Sequence, residues 1–268
     1  MLKLIENLSA DTAVQLCEVF DDDYITSFVL FSLLDWVTVD GAWIQNVGED
    51  ITALIVKKEN TKLYITANSK ADFLEITEFI KCLGGVVVNC SSKITSKIGV
   101  TGFSKAALMA FNGEIKNADT KAVELTDDLK PVYDLITEKA NEIMKTSLQK
   151  KQIKKFNDRA YKEWLSKTSR GILNGYTSVR AIKAAENSVL SVAIADKLYG
   201  RAYIRDVTTD SAYRKMGYGS DCIKSLCKDL LCESETIFLC CDNLKAESFY
   251  KKIGFEVKDY IELGIVEL

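Results

Sequence analysis

The sequence predicts a mixed α/β protein whose central, mostly antiparallel sheet is flanked by helices and preceded by a smaller α/β domain of similar element order. Three observations carry that prediction. Apolar runs separated by turn residues recur from Val179 to the end of the chain, and other stretches space their apolar residues as helices do. A strand ending at Thr209 then passes through a glycine-containing turn into a helix at Gly219, the crossover of an α/β sheet. At 268 residues the chain has room for about two domains of the usual ~100–200 residues each.

In the first half, Leu2 to Ile5 reads as a short strand, followed by helices near Ala10–Val19 and Ile25–Leu34. Strands near Trp43–Val47, Ile51–Lys57 and Lys62–Ala67 lead to a helix at Lys70–Leu83 and a strand at Val86–Asn89. Residues 91 to 117 carry no clear period and are expected to contain the domain boundary, giving domains of 1–115 and 118–268. Trp43, Tyr64 and Phe73 sit at strand and helix spacing and read as core.

The second half opens with a strand at Lys121–Thr126, after which Asp127, Asp128 and Pro131 start a helix, proline being suited to a first turn. Two helices fill about 128 to 170, the second carrying Phe156, Tyr161, Trp164 and Leu165. Beyond Gly171 and Gly175 come strands at Val179–Ala184, Leu190–Ala195 and Ala202–Thr209, with turns at Glu186-Asn187-Ser188 and Lys197–Gly200. A helix over Gly219–Leu231 aligns Cys222, Ile223, Leu226, Cys227, Leu230 and Leu231 on one face. Its cysteines read as small core residues. Thr236–Cys241 is a buried strand, Leu244–Lys252 a helix, and Phe255–Ile261 and Gly264–Leu268 closing strands.

Composition excludes several functions. A net charge of −3 with interspersed signs offers no clustered field for a polyanion, so no nucleic-acid partner is expected. The basic run Lys150, Lys151, Lys154 and Lys155 reads as a solvated helix face. No apolar run nears the roughly 20 residues of a membrane span, and Glu6 and Asp11 are unlike a leader peptide, so a cytoplasmic protein without a membrane partner is expected. The chain has no histidine, and its eight cysteines form no C-x-x-C pair, so no metal site is expected. Without imidazole, Ser-His-Asp and Cys-His hydrolysis are excluded.

One segment carries chemistry. In Arg214-Lys215-Met216-Gly217-Tyr218-Gly219-Ser220 the glycines allow a sharp turn that brings backbone N–H groups against a ligand. The following helix aims its positive end at the same place. That is an anion cradle, and Arg214 adds a fixed charge suited to a phosphate. The alternative reading is a plain strand–helix turn.

The stretch from Tyr203 to Gly219 resembles the cofactor motif of the GNAT N-acetyltransferase superfamily, with its R/Q-x-x-G-x-G/A core. Asn243, Ala246, Phe249, Tyr250, Lys251, Lys252, Gly254 and Phe255 resemble that family's second signature, N-x-x-A-x-x-[FL]-Y-x-x-x-G-F. The resemblance implies acetyl transfer from acetyl-coenzyme A to a primary amine on a small molecule or peptide. It implies that Val207, Thr208 and Thr209 pair with the pantetheine arm and acetyl carbonyl, and that the pyrophosphate lies on Lys215 to Ser220. It further implies that Asn243 contacts the cofactor and that Tyr250 protonates the departing thiolate. The matching stretch after Lys62–Ala67 is Asn68-Ser69-Lys70-Ala71-Asp72, so the first domain resembles a degenerate relative that has lost the loop. It either covers the acceptor cleft or mediates homodimer formation.

Two positions depart from the pattern. Ser211 stands where many members have proline. Arg205 stands near a position where many have a glutamate that helps deprotonate the amine, and guanidinium cannot act as a base. Arg205 is expected either to bind an acceptor carboxylate or to form a structural ion pair; either Asp206 or Glu186 acts through water, or the amine arrives deprotonated. Strand alternation places Asp206 on the face opposite Arg205. Because that glutamate is missing, a non-catalytic acyl-coenzyme A sensor is the alternative function, and transfer of a longer acyl group a third.

Overall fold

The protein is described here from a computed structural model, which covers residues 1–5, 16, 19–20, 24–33, 39–115, 120–147, 150–184 and 188–266. Its strands are β1 (Leu2–Leu4), β2 (Val39–Val47), β3 (Asp50–Lys58), β4 (Lys62–Ala67), β5 (Val87–Ser91), β6 (Val100–Phe111), β7 (Val123–Glu124), β8 (Thr177–Lys183), β9 (Val189–Leu198), β10 (Arg201–Thr209), β11 (Thr236–Cys241) and β12 (Phe255–Val266). The helices are α1 (Tyr24–Leu33), α2 (Phe73–Leu83), α3 (Ser92–Ile98), α4 (Lys130–Ser147), α5 (Lys150–Leu173), α6 (Tyr218–Leu230) and α7 (Leu244–Ile253). None of the described helices is long and apolar enough to cross a membrane. The helix expected at 10–19 lies largely outside the described residues.

By contact the chain forms two compact units, Met1–Phe111 with Phe238–Leu268, and Asn112–Ile237. This grouping does not follow the sequence division at 115–118. The reason is in the sheet of the first unit, whose order is β1-β2-β3-β4-β5-β12-β6-β11. β6 lies between β12 and β11, antiparallel to both, so a strand from the first half of the chain is held on each side by strands from its end. Phe238 is fully buried and meets Tyr24 and Phe31 edge-on, while Phe111 packs on Phe255. β4 and β5 run parallel, joined by α2, in an otherwise antiparallel ladder.

The second unit carries the order β10-β9-β8-β7. β9 is buried along eight consecutive residues, which requires cover on both faces. Leu125, Leu129, Val132, Val179, Val192 and Ile194 form a core with Trp164, Leu165 and Ile172 of α5 packed against it. α6 packs on β8, β9 and β10 with Cys222, Ile223, Leu226, Cys227 and Leu230 buried, the helical face expected from their spacing. Burial pushes the Cys222 thiol up to about 11 and Cys227 to about 12, so both stay protonated core residues. Leu231 is half exposed instead, being the residue that ends the helix.

Other expectations need correction. The strand expected over 121–126 is reduced to β7, and the strands expected at Phe255–Ile261 and Gly264–Leu268 are one strand, β12, over Phe255–Val266, residues 267–268 lying outside the described residues. Gly264 is absorbed by a register shift against β6, not by a turn. Gly171 lies inside α5 because that helix approaches β8 closely: a Cβ there would stand 2.0 Å from Thr177 Oγ1.

Candidate active site

β10, the turn after it and α6 all belong to the second unit, and they bring Val207, Thr208, Thr209 and Arg214 to Ser220 into one continuous segment. Asn243 and Tyr250 belong to the first unit, at the start and end of α7.

The segment begins with a break in β10. Its register against β9 runs regularly to Arg205↔Ile194 and resumes at Thr208↔Val192, shifted by one residue. This is a β-bulge, with Asp206 in the left-handed region at φ 52, uncommon for any residue but glycine. The bulge overturns the alternation argument: Asp206 turns its carboxylate to Arg205 Nη1 in a short ion pair and does not point to the opposite face. Arg205 Nε also meets Asp196 Oδ2 at 2.7 Å, and Nη2 meets Oδ1 at 3.3 Å. Asp196 receives a third hydrogen bond from the Thr177 hydroxyl at 2.7 Å. Arg205 is thus in a structural ion pair, one of the two expected alternatives. Burial alone would favour neutral forms. The mutual attraction overrides it, holding the Asp196 carboxyl below and the Arg205 guanidinium above their ordinary values. Glu186 lies outside the described residues.

After the bulge, the Ser191 hydroxyl shares a 2.9 Å hydrogen bond with Thr209 Oγ1 and reaches the Thr208 carbonyl. Asp210 then caps a short 3₁₀ turn, Ser211–Tyr213, by accepting from the Ala212 N–H at 2.9 Å. That cap supplies the rigidity that proline would otherwise give at Ser211. Arg214 donates from Nε to the Thr209 carbonyl at 3.3 Å, which ties the turn back to the strand while leaving the side chain at the surface.

Gly217 is the cap residue of α6, at φ 88, with no side-chain cap. Only glycine holds that conformation without strain. An uncapped helix start leaves backbone donors directed outward with the positive dipole end behind them. The equivalent turn of the first unit is closed: Asp72 accepts from the N–H groups of Leu74 and Glu75 at 3.1 and 3.0 Å. A carboxylate therefore stands on the α2 amides.

In the first unit, Asn243 accepts from the Ala246 N–H at 2.8 Å and caps α7. Tyr250 is half-buried, edge-on to Phe249 and Phe255. Burial, and then Cys241, push its phenol well above the usual tyrosine range. Asp196, Thr177, Asp210 and the bulge itself were missed in the sequence. The visible signal for Asp196 was an acid two residues beyond Ile194, on the face that carries Val192 and Ile194.

Residues 139–255 match the family described as the Acetyltransferase (GNAT) family. No curated protein matches the chain in sequence. Among solved structures, an acetyltransferase of the GNAT family from Colwellia psychrerythraea superposes with TM-score 0.63 at 12% identity, covering 100% of both chains. A GCN5-related N-acetyltransferase from Sphaerobacter thermophilus gives TM-score 0.64 at 12% identity, covering 100% of this chain and 97% of its own. A tandem GNAT protein of the clavulanic acid biosynthesis pathway gives TM-score 0.61 at 9% identity, covering 98% and 97%. The fold is that of GNAT proteins.

Proposed function

We propose that the protein, whose residues 139–255 match the GNAT acetyltransferase family, is an acyltransferase that moves the acetyl group of acetyl-coenzyme A to a primary amine of a small molecule or peptide. The observation that carries this reading is the contrast between two helix starts. α6 opens on Gly217 with no side-chain cap, whereas the α2 amides are already taken by Asp72. An anion of the pyrophosphate class fits the first and is repelled from the second.

Acetyl-coenzyme A supplies an activated thioester and a good leaving group. Around it the chain's own residues have separate tasks. The N–H groups of Lys215 to Ser220 bind the pyrophosphate, with Arg214 at the edge. The backbone of Val207, Thr208 and Thr209 orients the pantetheine arm and stabilises negative charge developing on the acyl oxygen. Tyr250 holds a proton for the thiolate; its raised pKa keeps the phenol protonated at neutral pH. Asn243, besides capping α7, contacts the cofactor. Arg205 is paired with both Asp206 and Asp196, so the amine arrives deprotonated or loses its proton to water.

Calorimetric titration with acetyl-, succinyl- and longer acyl-coenzyme A tests the donor. Acetyl-coenzyme A is expected to bind to one site per chain and to be preferred in turnover. A preference for a longer acyl group would replace the donor, and absence of binding by all three would remove the proposal.

A further inference from the structure

The Asp196–Arg205 pair is an expensive feature to find beneath α4 and α5, because buried ion pairs barely recover their desolvation cost. Its side chains are 6% and 13% exposed. Arg205 stands opposite Ile194, within the apolar row of Val192 and Ile194. Asp196 accepts hydrogen bonds from Arg205 twice and from Thr177. The third group on Arg205 is Asp206, the one residue of the bulge with positive φ. The guanidinium is thus held from one side by a fixed, buried carboxylate and grips from the other the residue whose backbone is strained. Among the described residues, Lys167 of α5 also acts on Asp196.

We infer that Asp196 and Arg205 are positioning residues: anchored in the core, they hold Asp206 in its left-handed conformation and so set the path of Val207 to Thr209. This rests on the reading of that backbone as part of the acetyl-coenzyme A site. The inference explains why an arginine is tolerated where a base is expected, since its task is to shape the strand and not to move a proton. It also makes a specific demand. If the pair serves to hold φ positive at 206, glycine at 206 makes the pair dispensable, because glycine takes that conformation freely.

The test is acetyl-coenzyme A titration of the full chain in five forms: unchanged, Asp206→Gly, Asp206→Val, Asp196→Asn/Arg205→Met, and the latter with Asp206→Gly added. Removing both charges together avoids stranding one of them in the core. Asp196→Asn/Arg205→Met is expected to bind about five- to tenfold more weakly, the scale of a left-handed residue no longer held; the added glycine restores most of the loss. A double variant that binds like the unchanged chain overturns the inference, as does a triple variant as weak as the double. Should the double variant not fold, Asp206→Val against Asp206→Gly decides. Valine is expected to weaken binding and glycine to keep it within about threefold, since a β-branched residue is a marked outlier at positive φ; equal affinities overturn the inference.

Thermal melts of the same proteins need no cofactor. In the background lacking the pair, Asp206→Gly is expected to raise Tm, and a fall overturns the inference. If the unchanged chain does not bind acetyl-coenzyme A, the donor reading fails while the melts still decide the clamp.

Discussion

Gly217→Ala is the most informative single change. Gly217 sits at φ 88, ψ −11 as the cap of α6, and a Cβ built there meets no atom within 4 Å. Steric collision therefore contributes nothing, and the cost is the intrinsic penalty of an L-residue in the left-handed region, about 1–2 kcal/mol. The chain can accept that strain or relieve it by rotating the loop. Accepting it lowers Tm by about 2–8 °C at ~2–4 °C per kcal/mol for a protein of this size. Relieving it turns the loop amides away and reduces the binding-competent population, weakening acetyl-coenzyme A by about five- to thirtyfold. The two effects draw on the same penalty, so a variant that keeps its Tm shows the full loss of affinity. Differential scanning fluorimetry and calorimetric titration on one preparation measure both. Wild-type affinity together with wild-type Tm would refute the reasoning, because the strain must appear in one of them.

Tyr250→Phe is expected to lower kcat by ~10²-fold, the low end for loss of a general acid, and to leave acetyl-coenzyme A affinity nearly intact in titration. Asp72→Ala should cost about 1 kcal/mol of stability as a lost N-cap without changing cofactor affinity; restored binding to the first unit, seen as a second titration site, would show that Asp72 alone had closed it. Asp196 has a folded pKa below its unfolded value, so the unfolded chain binds the proton more tightly. Its contribution is fully present above about pH 4, near the ordinary carboxyl pKa, and is lost as pH falls through the folded value. A melt series from pH 6 to pH 2 should therefore fall less steeply below pH 4 for Asp196→Asn/Arg205→Met than for the unchanged chain.

The parts of this molecule that a reader of the sequence could see are those governed by local chemistry. α6 was legible because Cys222, Ile223, Leu226, Cys227 and Leu230 repeat at helical spacing and are all buried. The turn at 214–220 was legible because a left-handed cap calls for glycine. β6 was not, because Ala106, Ala107, Leu108, Met109 and Ala110 are helix formers that become a strand only between β12 and β11. The same interleaving hid the grouping of the last strands with the first unit. Asp206 was misplaced because alternation presumes a regular strand, whereas a bulge reverses the direction of every side chain beyond it. No residue type at 205–208 announces that bulge.

The central claim is that the segment from β10 to α6 binds acetyl-coenzyme A for acyl transfer. Release of free thiol from acetyl-coenzyme A, followed across a panel of small amines, peptides with free N-termini and lysine-containing peptides, tests it most directly. The account predicts saturable thiol release with at least one class of amine. Tight binding of acetyl-coenzyme A with no release above the uncatalysed rate on any amine would contradict it and leave a sensor of the acylated cofactor in its place.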